Sequence, residues 1–600
     1  MSEQTDGLIE APTFAEGFRL AVSKYGDRPA LESADGSVRY TWRELERKVD
    51  RLAGGLAALG VKKGDTVALL LDNRPEFHLC DLAAVTLGAV PFSIYQTLPP
   101  EQIRYVVDDA AARVAIVEAK YLDRFLEAKR SLPALEHLVV VDGDAPGAIA
   151  LSELEEKNPA FRGRELLREI RPEDLLTLIY TSGTTGPPKG VQITHRNLMA
   201  VVRGLNAIAR YPTGGRVISW LPTAHIAERA LDYYLPVLLG ATITTCPNPR
   251  EIIEVLPKVR PDYFFAVPRI WEKIKAGLEA QLASLPPEQR EKIERALARS
   301  LEKVRLEQAK KPVPPELAEE VERADREIFS GIRALLGLDR ARIVSVGAAP
   351  TPREVVEFFH ALGIPLAEGW GMSETCAIGT VNPPGRIKIG TVGLPVPGVE
   401  IRIADDGEIL VRGENVMAGY RNLPEKTAET LLPGGWLATG DVGEIDEDGY
   451  LRIVDRKKEI IINAAGKNMS PANIESTVKA ASPLVGQVCV IGDRRPYNTA
   501  LVVLDPDAAR QWAREHGRGE KSLEELATDE ELRAELARAI ERANAKLARV
   551  EQIKKFTIVP GDWLPGGDEL TPTMKLKRKA IAEKYADLIE RMYAPAEGNA

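Results

Sequence analysis

Short apolar runs alternating with helix-patterned stretches constrain this chain more than any other feature. VALLL (67–71) is followed by FHLCDLAAVTLGA, then AVPFSIY, then a helical stretch from Pro100 through Val107, then VAIVEA. Strands that read as continuous apolar segments must be covered on both faces, and intervening helices supply the cover, so the rhythm predicts parallel α/β layers. At 600 residues the chain exceeds what one core holds, and roughly two to four folding units are expected.

The texture changes twice further on. Between about 272 and 335, EKIKAGLEAQLASLPPEQREKIERALARSLEKVRLEQAKK and ELAEEVERADREIF are rich in charge and helix formers, with breaks at PP and PVPP. This predicts an inserted helical hairpin, its alternating charges forming a solvated face. From 386 to 455, VEIRIADDGEILVRG and GEIDEDGYLRIVD place DDG and EDG where hairpin turns belong, so this section is expected to be β-rich. Beyond it, VCVIG and ALVVL read as strands, a charged helix is expected from about 522 to 548, and a basic helix near Lys575. The stripe Ile581, Tyr585, Leu588, Ile589 and Tyr593 on that last helix is expected to pack on the core of its own domain.

Composition excludes several classes. With 44% hydrophobic and 28% charged residues the chain is globular, and a formal net charge of −9 without a basic domain argues against nucleic acid as a partner. Cys80, Cys246, Cys376 and Cys489 are scattered without a C-x-x-C pair, so neither a disulfide framework nor a zinc site is suggested, and a reducing cytoplasm fits. No export signal and no spanning apolar segment is legible. At most weak, salt-sensitive association with a membrane surface is expected, and a homodimer stays open.

The stretch YTSGTTGPPKG (180–190) carries the first chemistry. It fails the pattern G-x-x-x-x-G-K-[ST] at Pro188, which has no N–H for a phosphate, and at Gly190, where a metal-binding hydroxyl belongs. The flanks DLLTLIYT and VQITH both read as strands, so the loop is expected to join strand to strand. Thr181, Ser182, Gly183, Thr184, Thr185, Gly186 and Lys189 give it hydroxyls, permissive backbone and a mobile cation, all suited to wrapping a polyphosphate.

Seven segments then occur in a recognisable order: YTSGTTGPPKG, SWLPTAHIAER, VGAAP, GWGMSET, TGD, DRKKEIIINAAGKNMSP and LTPTMKLKR. Together they resemble the superfamily of AMP-forming acyl and aryl CoA ligases, luciferases and adenylation domains, and within it the long-chain fatty acyl-CoA synthetases. The resemblance implies an α/β fold. Its large N-terminal domain has two α/β subdomains plus a β-barrel-like subdomain, and a small mobile α+β C-terminal domain follows. Here they would be residues 1–455 and 456–600. It also implies two half-reactions. A carboxylate attacks the α-phosphorus of ATP and expels pyrophosphate, and the thiol of coenzyme A then displaces AMP.

Carried over residue by residue, the resemblance makes the loop and Lys189 the holders of the departing phosphates, with Glu374 and Thr181 toward Mg2+. Trp370 would stack adenine opposite Gly347 and Ala348, in a slot that also uses Glu368, Gly369, Gly371 and Ser373. Relatives commonly have tyrosine where Trp370 stands. Asp441 would take the ribose hydroxyls, supported by Arg456. Lys575 would bridge carboxylate and α-phosphate, His225 would sit near the acyl carboxylate, and Lys458 would be the nucleotide-side hinge. A second lysine that some relatives use in the thioester step has no counterpart, since Ile462 stands there. Medium-to-long fatty acids are the expected substrates. A ligase that loads a carrier protein, or a non-catalytic relative that binds acyl chain or nucleotide, are the alternatives.

Overall fold

Buried β-branched runs set the architecture. The strands Thr66–Leu70, Val90–Ser93 and Val114–Val117 are buried throughout and pair in parallel, with Thr66–Leu70 in the middle. Their cover comes from the expected helices, among them Pro75–Thr86 and Pro100–Asp109, each opened by a proline at its first turn. The structure is a computed structural model that describes residues 7–181, 187–464, 467–519 and 521–594.

Among the described residues these strands belong to an eight-stranded sheet. It runs in the order Gly419–Tyr420, Lys189–Thr194, Leu175–Thr181, Val90–Ser93, Thr66–Leu70, Val114–Val117, His137–Val140, Ile149–Ala150. A second layer has Tyr263–Ala266, Ile343–Val346 and Leu366–Trp370 in parallel, extended antiparallel by Thr380–Val381 and Leu394–Pro395. The DDG and EDG turns close two antiparallel hairpins, Val399–Ile403 with Glu408–Gly413 and Trp436–Ile445 with Leu451–Arg456, which share one sheet. Farther on, Val485–Ile491, Asn498–Leu504 and Ile553–Ile558 form a separate three-stranded sheet.

The apolar cores divide accordingly. One large cluster runs from Leu8 to Leu451, whereas others gather Ile461 to Ile558 and Cys489 to Met592. Ion pairs join the two regions: Arg269 with Asp505, Lys546 with Glu354, and Lys273 Nζ with Asp507 at 3.5 Å.

Three local expectations need correction. The inserted helices begin at Pro268–Ala283 and continue as Pro287–Gln308 and Pro315–Ala324, and they are not merely solvated. Ser300 donates to Ala361 O at 2.7 Å, Arg305 pairs with the buried Glu357, and Gln308 bonds both Ile387 O and Ile389 N. The helix expected over about 522 to 548 is broken into Leu523–Leu526 and Glu530–Asn544, because Asp529 caps the second by accepting from Glu531 N and Leu532 N. The last basic helix does not start near Lys575 but at Arg578. A tight turn intervenes: Thr571 N bonds Lys575 O, Lys575 N bonds Thr571 Oγ1, and Met574 takes a left-handed φ of 65°. The stripe behind it does pack inward, with Ile581 and Ile589 buried against Val559 and Trp563.

Candidate active site

The strands on either side of residues 182–186 pair antiparallel. Thr181 ends one strand and Lys189 opens the other as register partners, with Thr181 Oγ1 donating to Lys189 O at 3.4 Å. Ser182, Gly183, Thr184, Thr185 and Gly186 lie outside the described residues. The Lys189 ammonium sits 4.7 Å from the centroid of the Tyr420 ring. Burial lowers its pKa; Glu374 opposes the shift, and Lys426, Lys458 and Arg456 add to it. That balance describes a cationic basin with one carboxylate in it, ready for a polyanion.

Glu374 occupies the short turn Ser373–Thr375 and is 6% exposed. Its Oε1 accepts from Tyr420 OH at 2.7 Å, and Met417 N donates to its carbonyl at 2.9 Å. Among the described residues no group of three or more His, Cys, Asp or Glu side chains is arranged to hold a metal ion. A lone carboxylate, Glu374, suits Mg2+, which keeps waters and phosphate oxygens and takes few protein ligands; Thr181, distant from it in sequence, enters the site as the register partner of Lys189.

In the segment expected to take the nucleoside, the strands Ile343–Val346 and Leu366–Trp370 lie side by side, which brings Gly347 against Gly369. A Cβ on Gly347 would come within 2.9 Å of Gly369 O, and one on Gly371 within 2.0 Å of Ala377 O, so both positions require glycine. Ala348 takes a left-handed φ of 68°. Trp370 is 8% exposed, and its Nε1 donates to Asp441 Oδ2 at 2.8 Å. Asp441 Oδ1 meets Arg456 Nε, also at 2.8 Å, across the hairpin in which the two residues are register partners. The tryptophan in place of a common tyrosine thus brings its own donor to the carboxylate. Glu368 accepts from Gly390 N at 3.2 Å, and desolvation pushes its carboxyl up to about 7.

Lys575 joins the two ends. It is solvent-accessible in the cleft, but its ammonium is desolvated and feels Arg456 on one side and Asp441, Glu374 and Glu459 on the other, with a net lowering of its pKa. His225 lies within reach of the same charge: burial first and Lys575 second hold its imidazole down at about 4, so it is neutral near pH 7. Its Nδ1 accepts from Ala227 N at 3.2 Å. Lys458 is exposed in the turn after Arg456, where Lys457 N bonds Gly440 O and Glu459 N bonds Arg456 O.

Sequence reasoning missed three sets of residues. Tyr420 touches both Lys189 and Glu374. The pair Glu228 and Arg229, at the end of LPTAHIAER, is fully buried. Glu228 accepts from Asn73 Nδ2 and from the backbone of Trp220 and Leu221, and burial pushes it up to about 7. Arg229 binds Asp81 at 2.6 Å, Ser93 Oγ and Thr223 O. Both therefore pin the segment that precedes His225. Arg578, bidentate to Glu475, fixes the helix start behind Lys575. The charged ER pair inside an apolar run was the available signal for the second set; Tyr420 carried none.

The fold and this cleft define a class. The chain belongs to the AMP-binding enzyme family, matching its model over residues 18–421 and the AMP-binding enzyme C-terminal domain over residues 458–597. Among its relatives, fadD11 of Mycobacterium tuberculosis strain H37Rv is 48% identical over 453 residues, 75% of this chain and 79% of its own length. The long-chain-fatty-acid--CoA ligase FadD15 of the same strain is 37% identical over 572 residues, 92% of both chains. The fold is shared with the anthranilate CoA ligase AuaEII bound to anthranoyl-AMP, at 22% identity and a TM-score of 0.73, over 97% of this chain and 99% of that one.

Proposed function

We propose that this protein is an AMP-forming ligase that activates a medium-to-long-chain fatty acid as its acyl-AMP and passes the acyl group to coenzyme A, releasing AMP and pyrophosphate. The observation that carries the proposal is that Lys575 lies close enough to His225, Asp441, Arg456 and Glu374 for their charges to act on one another, and that Glu374 and Arg456 act on Lys189 as well. Two anions, carboxylate and triphosphate, must be brought together there, and fixed cations aimed at the developing charge do this without reorganisation.

In the first step Lys575 bridges the acid and the α-phosphate. Lys189 and the loop before it take the β- and γ-phosphates. Glu374, with Thr181, would hold Mg2+, which when bound would screen charge on the leaving pyrophosphate. Asp441 receives the ribose hydroxyls, while adenine lies between Trp370 and the Gly347–Ala348 backbone, beside Glu368, Gly369, Gly371 and Ser373. A neutral His225 offers the carboxylate a polar neighbour without competing for it as a charge. In the second step the C-terminal unit, taken as residues 456–600, turns about Lys458, withdraws Lys575 and admits the thiol.

The relatives named as long-chain-fatty-acid--CoA ligases support the acid class and the acceptor. No helix among the described residues is long and apolar enough to cross a membrane. Supplying purified protein with acid, ATP and either coenzyme A or a phosphopantetheinyl carrier protein tests the acceptor. Thioester on coenzyme A supports the proposal; thioester on the carrier alone overturns it.

A further inference from the structure

We propose that Tyr420 is a positioning residue that holds the phosphate-side lysine and the metal-side carboxylate apart and in place before nucleotide arrives. This rests on the proposed use of Lys189 and Glu374 for MgATP. One side chain meets both: the phenol donates to Glu374 Oε1 at 2.7 Å, and the ring face lies under the Lys189 ammonium at 4.7 Å. Tyr420 is 5% exposed.

The backbone makes the arrangement stiff. Tyr420 belongs to the strand Gly419–Tyr420, register partner of Val191 on the strand that begins with Lys189. Ala418 N donates to Gln192 O at 3.0 Å and Arg421 N to Gly190 O at 2.8 Å, while Met417 N reaches the carbonyl of Glu374 itself. The same five residues thus stitch the lysine strand to the carboxylate turn. The following guanidinium, on Arg421, donates to Asp109 O and Ala110 O at 2.9 and 2.8 Å and anchors the stitch to the C-terminal end of the helix Pro100–Asp109. Tyr420 N is held by Thr427 Oγ1 at 2.9 Å.

The chemical value of a phenol here lies in what it prevents. Lys189 feels the charge of Glu374, and with a small residue between them the two could collapse into an ion pair that an incoming polyphosphate and its cation would have to break. Tyrosine satisfies one carboxylate oxygen with a neutral donor and the ammonium with a π face, leaving Oε2 for the cation and the Nζ protons for phosphate. Preorganised polar groups bind without that rearrangement, so the effect should appear in MgATP binding rather than in use of the acid.

Two substitutions separate the parts. Tyr420→Phe keeps the ring and the cation contact but frees Oε1; Tyr420→Leu removes both. Binding is read without turnover, by calorimetry with a magnesium complex of a non-hydrolysable ATP analogue, and by electron paramagnetic resonance of Mn2+ in its presence. Melting temperature serves as the folding control. Tyr420→Phe is expected to weaken Mn2+ retention roughly tenfold, and Tyr420→Leu to weaken the nucleotide complex roughly tenfold further. The acid KM should stay unchanged in Tyr420→Phe. Wild-type affinities for both probes in Tyr420→Phe would overturn the proposal and leave Tyr420 a packing residue, as would a loss that tracks melting temperature alone. Because these readouts need no acid, a failure of the fatty-acid assignment would appear separately, as analogue binding without acid-dependent pyrophosphate release.

Discussion

Replacing Trp370 by phenylalanine removes one N–H from the candidate site and leaves an aromatic face. The indole nitrogen donates to Asp441 Oδ2 at 2.8 Å, and the other carboxylate oxygen meets Arg456 Nε at the same distance. A hydrogen bond to a charged group contributes about 1.5–3 kcal/mol. Asp441 is only 5% exposed, so water replaces the lost donor poorly, but Arg456 still holds one of its oxygens. The loss is therefore one of orientation, and about 1–2 kcal/mol of it should fall on nucleotide binding, or roughly 5–30-fold in the ATP KM. The assay is the initial rate of pyrophosphate release with ATP varied at saturating acid, accompanied by calorimetric AMP binding. Acid KM is the internal control and should not move. An ATP KM and AMP affinity equal to wild type would refute the reasoning, because Asp441 would then need no help from Trp370 or would not meet the ribose.

Lys575→Ala should abolish most acyl-AMP formation, a loss of about 3–4 kcal/mol or roughly 10²–10³ in rate, while supplied acyl-AMP is still converted to thioester; equal loss in both steps would sink the assignment. Lys458→Pro should spare acyl-AMP formation and block the thioester step in single-turnover experiments, since a fixed φ holds one domain arrangement; wild-type thioester formation would move the hinge elsewhere. His225→Gln should change the pH dependence of stability. The folded imidazole titrates at about 4 against an ordinary value of about 6.5, so below that ordinary value the unfolded chain takes a proton the folded one refuses. Wild-type stability therefore drops as pH falls from about 6.5 toward 4, and the variant should gain about 1–2 kcal/mol on it between pH 7 and pH 5. Urea midpoints at the two pH values check this, and an unchanged difference would mean the imidazole is charged in the fold.

Local pattern carried the layers and most of the candidate site into view. Parallel strands at Thr66–Leu70 and Val114–Val117, the hairpin under Lys189 and the DDG and EDG turns all follow from period, burial and turn chemistry, which neighbouring residues decide. The glycine–tryptophan segment and Lys575 were legible because whole motifs carry them. What stayed hidden depends on contacts between distant positions, apart from one four-residue turn. Thr571 turns the chain at Lys575 where helix propensity alone would continue the helix back to that lysine. Glu357 and Ala361 receive the inserted helix that its charge pattern would have left in water. Tyr420 lies 46 residues from Glu374, and Trp370 lies 71 from Asp441; no spacing rule reaches that far.

Pyrophosphate release by the purified protein with ATP, across saturated acids from acetate to a twenty-carbon chain and without coenzyme A, bears most directly on whether this cleft joins a carboxylate to AMP. Release is expected to depend on the acid, to be greatest among medium and long chains, and to be matched mole for mole by acyl-AMP that coenzyme A then discharges. Nucleotide that binds but yields no pyrophosphate with any acid would contradict it and leave the protein a non-catalytic binder.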